Sequence, residues 1–68
     1  MPFVNIKIAR NGATTEQKAR LVREVTEVIH KILDKSPSSV VVMIEELDPE
    51  NVGVGGETIA EKRKKRGS

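Results

Sequence analysis

Pro2, directly behind Met1, is the residue of this chain with the most distinctive chemistry. A small second residue permits removal of Met1, and the mature chain would then begin with a secondary amine. An α-amino group has an ordinary pKa of about 7.7–8.0, and burying its cationic form in an apolar pocket lowers that value. A neutral amine near the working pH is what general-base catalysis needs. Many ordinary chains also begin Met-Pro, so Pro2 acquires meaning only from its surroundings.

Those surroundings favour a fixed amine. Val4, Ile6 and Ile8 recur at period two, which predicts a strand over residues 2–8 with one apolar face. Phe3 interrupts the polar side, so the second face is expected to be half covered. A strand starting at residue 2 pins the terminus in a sheet instead of leaving it frayed.

Other chemistry-bearing residues form weaker constellations. His30 is the sole histidine and has no cysteine companion, so an exposed helix residue is expected rather than a metal ligand. Glu45 and Glu46 would point to opposite faces of a strand and cannot work as an acid–base pair. Glu57 follows the glycines and suits a turn or an interface. The run Gly53-Val54-Gly55-Gly56 lacks the spacing of a dinucleotide loop and the following Lys-Ser/Thr of a phosphate loop. A tight hairpin or bulge is the better reading.

The elements that must position Pro2 read as β-α-β. Asn11-Gly12 signals a turn out of the first strand. Thr14 is the expected N-cap of a helix, with Gln17 completing a capping box. Leu21, Val22, Val25, Val28, Ile29, Ile32 and Leu33 then form one helical stripe, ending near Leu33 or Asp34. Ser36-Pro37 stops the helix in a short turn. Val40–Ile44 is an apolar, largely β-branched run expected as a strand covered on both faces, carried by Glu45, Glu46 and Leu47 to the Asp48-Pro49 turn. A crossover of this length implies parallel strands joined right-handedly.

Sixty-eight residues make one small domain, with residues 1–60 as its body and 61–68 as a basic tail. A domain this short buries only about 60% of its unfolded surface, and the chain has one aromatic residue and no cysteine to staple it. Two strands are too few for independent stability, and the single helix covers one sheet face only. A homo-oligomer is therefore expected, with Val41 or Val42 and their neighbours meeting a partner. The net charge of +2 and the lack of aromatics in the tail argue against a nucleic-acid partner. No apolar stretch approaches a membrane span and no signal peptide is visible, so a cytoplasmic protein is expected.

Pro2, the strand through Ile8, Thr15-Glu16-Gln17-Lys18, Ser39-Val40, Ile44-Glu45-Glu46 and Gly53-Val54-Gly55-Gly56-Glu57 together resemble the 4-oxalocrotonate tautomerase family, within the tautomerase superfamily. The resemblance covers residues 2–60. It implies an α/β (or α+β) β-α-β protomer with a C-terminal hairpin, a tautomerase/MIF-like fold, and a hexamer built as a trimer of dimers. It also implies Pro2 as catalytic general base, without cofactor or metal, moving a proton on a small enol or dienol carboxylate such as 2-hydroxymuconate.

The chain departs from that family at informative positions. Members that work well on 2-hydroxymuconate carry an arginine in the second strand, where this chain has Val41, and an aromatic residue before the glycines, where it has Val52. Their other substrate arginine follows the turn glycine. Here Ala13 follows Gly12 in a longer loop, and Arg10 is the nearby candidate for substrate binding. The resemblance thus implies a tautomerase slow on that dicarboxylate. Two alternatives stay open: hydration or dehalogenation of an unsaturated acid with Glu57 or Glu50 activating water, and a non-catalytic oligomeric module.

Overall fold

The structure, a computed structural model, describes residues 1–65. Its order is β1 (Phe3–Ala9), α1 (Thr15–Leu33), a 3₁₀ turn (Pro37–Ser39), β2 (Val41–Leu47), a second 3₁₀ turn (Pro49–Asn51), β3 (Gly53–Val54), β4 (Glu57–Thr58) and α2 (Ile59–Lys65). The expected β-α-β unit with its C-terminal hairpin is present. Arg66–Ser68, the end of the expected tail, lie outside the described residues.

Local chemistry explains where α1 begins and ends. Thr14 accepts from the Gln17 backbone N–H at 3.0 Å while the Gln17 side chain accepts from the Thr14 N–H at 2.8 Å, a complete capping box. Asp34 closes the helix in the left-handed conformation with φ 54°. A short polar side chain tolerates that geometry better than a branched one. Ser36 and Pro37 then start the turn, and the Val40 N–H bonds the Pro37 carbonyl at 3.2 Å, so the second strand starts at Val41.

β1 and β2 pair in parallel, with Phe3 opposite Val41, Val4 opposite Val42, Asn5 opposite Met43 and Ile6 opposite Ile44. The register sorts the two faces. The Lys18 ammonium of α1 donates to the Glu46 carboxylate at 2.8 Å, which places Glu46, Ile44 and Val42 on the helix side with Ile8, Ile6 and Val4. Phe3, Asn5, Lys7, Val41, Met43 and Glu45 occupy the open side. Val41, rather than Val42, is therefore the valine that faces outward. Phe3 is 67% exposed, barer than the half cover expected.

The hairpin is built by two glycines. Val54 pairs with Glu57 across Gly55 and Gly56, whose φ values are 63° and 86°. Positive φ at both central residues is the hairpin turn whose twist matches its strands. α2 follows at once, capped reciprocally by Thr58 and Glu61: the Glu61 N–H donates to the Thr58 hydroxyl at 3.0 Å, and the Thr58 N–H donates to the Glu61 carboxylate at 2.9 Å. The segment read as a tail from residue 61 is thus helical through Lys65.

The protomer leaves its apolar surface unfinished. None of the described residues is buried, and Ile32 is 73% exposed at the end of α1. The chain exposes 5250 Å², where a compact monomer of 7.5 kDa exposes about 4,200 Å². The radius of gyration is 15.4 Å, against roughly 11 Å for a compact chain of this length. The excess area, about 1,000 Å², is of the size one partner contributes to a stable interface.

Candidate active site

Pro2 enters β1 held by its backbone. Its carbonyl accepts the Val41 N–H at 2.9 Å, which extends the ladder one residue beyond Phe3 and fixes the end of the strand. The residue is half-buried, whereas Met1 is exposed. Around Pro2 the paired strands supply Phe3, Val4, Val41 and Val42, all hydrocarbon.

Arg10 lies at the other end of β1. Eight residues separate it from Pro2, about 26 Å at roughly 3.3 Å per residue, so one protomer does not bring the two candidates together. Arg10 is nonetheless well ordered by its contacts. Its N–H bonds the Leu47 carbonyl at 2.8 Å, its carbonyl accepts from the Arg63 guanidinium at 2.9 Å, and its own guanidinium reaches the Asp48 carboxylate at 2.6 Å. Neither Asp48 nor Arg63 stood out in the sequence. Asp48 reads as a turn residue, and nothing in local pattern links position 63 to position 10.

The carboxylates divide as their strand positions require. Glu45, on the open face, is paired with Lys7 at 2.8 Å. The hydrogen bond from Lys7 holds its carboxyl below the usual range, assisted by Asn5. Glu46, on the helix face, is lowered chiefly by its hydrogen bond from Lys18. Glu57 forms an ion pair with Lys65, and Glu50 is exposed in the Pro49–Asn51 turn. His30 is exposed on α1 with its Nδ1 2.8 Å from the Lys35 carbonyl. Among the described residues no group of three or more His, Asp or Glu side chains converges as a metal site would require.

Comparison with known proteins places this geometry. The family model of the tautomerase enzymes matches residues 2–62, from Pro2 into α2. The chain belongs to the tautomerase family. It is 46% identical over 63 residues to "Probable tautomerase K2" of Dickeya dadantii (strain 3937), covering 93% of this chain and 94% of that protein. It is 41% identical over 64 residues to a 2-hydroxymuconate tautomerase of Pseudomonas putida, covering 94% of this chain and all of the relative. A solved heterohexameric 4-oxalocrotonate tautomerase from Chloroflexus aurantiacus J-10-fl superimposes with a TM-score of 0.83 at 33% identity, covering 90% of this chain and 97% of that one. The protein is thus an isomerase of the tautomerase family with the 4-oxalocrotonate tautomerase fold. Among the described residues, no helix is long and apolar enough to cross a membrane.

Proposed function

We propose that the chain, after loss of Met1, is a tautomerase that uses the Pro2 amine as general base on a small 2-hydroxy-dienoate or 2-oxo acid. The observation that carries this reading is the family match beginning at Pro2, combined with the hydrogen bond that fixes Pro2 at the head of β1. The neutral nitrogen accepts the proton of the enol while the electron pair spreads over the conjugated system. The resulting ammonium returns that proton to carbon. The step is balanced within substrate and Pro2, and its barrier falls where a cation stabilises the oxygen that gains charge.

Arg10 is our candidate for that cation and for holding the substrate carboxylate. Its distance from Pro2 along β1 means that a neighbouring subunit must supply it. The unfinished apolar surface of the protomer supports an obligate homo-oligomer, and the heterohexameric relative supports a hexamer. 2-Hydroxymuconate, the substrate in the name of the Pseudomonas putida relative, is the first compound to test.

The experiment compares two preparations, one with Met1 removed and one with it retained, each verified by intact mass. The processed protein should ketonise 2-hydroxymuconate or a related enol, and the Met1-bearing protein should not. Equal activity in both would remove Pro2 from the mechanism.

A further inference from the structure

We infer that Arg63 is a positioning residue, which holds the Arg10 backbone so that the Arg10 guanidinium is presented to substrate. The inference rests on the reading of Arg10 as the carboxylate-binding cation. Arg10 stands where the β1–β2 ladder ends: its N–H bonds the carbonyl of Leu47, the last residue of β2, at 2.8 Å. Beyond it the chain turns through Asn11 and Gly12, the latter at φ 88°. Among the described residues, Asn11, Gly12 and Ala13 make no backbone–backbone hydrogen bond. Nothing lies within 4 Å of a Cβ built on Gly12. The ladder thus holds Arg10 from one side, and the residues that follow add no hold on the other.

Arg63 supplies the second hold. Its guanidinium donates to the Arg10 carbonyl at 2.9 Å, across 53 positions of sequence. A guanidinium is a rigid, permanently charged fork, and a charged donor makes a stronger bond to a carbonyl than a neutral one. The helix that carries it is fixed in turn. The Ile59 N–H donates to the Val52 carbonyl at 2.8 Å, Thr58 and Glu61 cap the first turn of α2, and Glu57 is ion-paired with Lys65. With the peptide groups on both sides of Arg10 held, its Cα–Cβ direction is set and only side-chain torsions remain to be ordered. Such preorganisation lowers the entropic cost of binding. It matters most for a side chain that must reach a site on another subunit.

The test is a double-mutant cycle on the assembled protein lacking Met1, with 2-hydroxymuconate as substrate. Arg63→Met removes the donor but keeps the apolar stem of this half-buried side chain. Its kcat/KM should fall by roughly two- to tenfold, within what one hydrogen bond contributes. Arg63→Lys, which still carries a donor, should recover part of the loss. In an Arg10→Ala background Arg63→Met should cost nothing more, because Arg63 acts only through Arg10. Binding of adipate, a saturated dicarboxylate of the same chain length, should show the same pattern by calorimetry, without any turnover at Pro2. Should Arg63→Met not assemble, Arg63→Gln, a shorter neutral donor, takes its place in the cycle. If Arg10→Ala weakens catalysis and adipate binding while the Arg63 variant does not, the inference falls and Arg10 keeps its role. An equal loss with and without Arg10 would also overturn it, since Arg63 would then act independently of Arg10. No effect of Arg10→Ala would overturn the Arg10 reading, and the role of Arg63 with it.

Discussion

The Val41 N–H donates to the Pro2 carbonyl at 2.9 Å, and this one bond ties the start of β1 to the start of β2. It carries the parallel ladder to the residue that would become the N-terminus. It also sets an aliphatic side chain, rather than a charged one, beside the base we propose.

An N-terminal tag or an uncleaved Met1 converts the Pro2 nitrogen to an amide, which has no basicity. Tautomerisation should be abolished while the circular dichroism spectrum and the oligomeric state stay unchanged. Pro2→Ala keeps an amine of different geometry and basicity, so kcat should fall, but by less than the full 10²–10⁴, roughly, that a positioned base contributes. Stopped-flow or ultraviolet assay of enol disappearance reads the difference.

The two faces of β2 should answer differently to charge. Val41→Asp puts a carboxylate on the open face and should dissociate the assembly, seen as a shift to smaller species in native mass spectrometry. Val42→Asp puts it beneath α1, next to Val4, and should unfold the protomer itself. An uncompensated buried charge costs about 3–5 kcal/mol, enough to abolish a domain this small. A folded monomeric wild type at micromolar concentration would contradict the predicted assembly.

Arg10→Ala should raise KM for carboxylate substrates about tenfold or more, since a hydrogen bond to a charged group contributes about 1.5–3 kcal/mol. Asp48→Asn separates binding from folding: it removes the counter-ion seen at 2.6 Å but leaves Arg10 in place. KM should then be unchanged or lower. Michaelis–Menten analysis of both variants checks the pair.

Acid stability should depend on Glu46. Its carboxyl is held below the usual range in the fold by Lys18, so the folded chain binds fewer protons there than the unfolded one. The resulting stabilisation is present above the ordinary carboxylate range and is lost as pH falls through the lowered value. Glu46→Gln should accordingly flatten the decline in Tm between about pH 6 and pH 3. Thermal melts at a series of pH values report the slope.

Gly55→Ala and Gly56→Ala force side chains into left-handed backbone, at about 1–2 kcal/mol each. No atom lies within 4 Å of the added Cβ at either site, so the penalty is conformational rather than steric crowding. Chemical denaturation should show the loss. Gly55→Asn, which tolerates that backbone better, should recover part of it.

Elements built from neighbouring residues were legible in the chain itself. Thr14 and Gln17 carry their capping box within one turn, the stripe from Leu21 to Leu33 announces a helix, and Gly55-Gly56 announces a tight hairpin. Pro2 is recognisable from residue type and position, and the period-two alternation directly after it supplies the strand that gives it meaning. The resemblance that rests on these local segments points to the same family whose model matches residues 2–62.

What only tertiary structure decided depends on register and long-range contact. An apolar run such as Val41-Val42 carries no alternation to say which valine faces α1; the pairing of Lys18 with Glu46 decides it. The clamp of Arg63 on the Arg10 carbonyl joins positions that no short-range pattern couples. The separation of Pro2 and Arg10 along β1 has the same origin. Sequence nominates both residues, but a strand rising roughly 3.3 Å per residue sets them at opposite ends of the protomer, and only an assembly can bring such groups together.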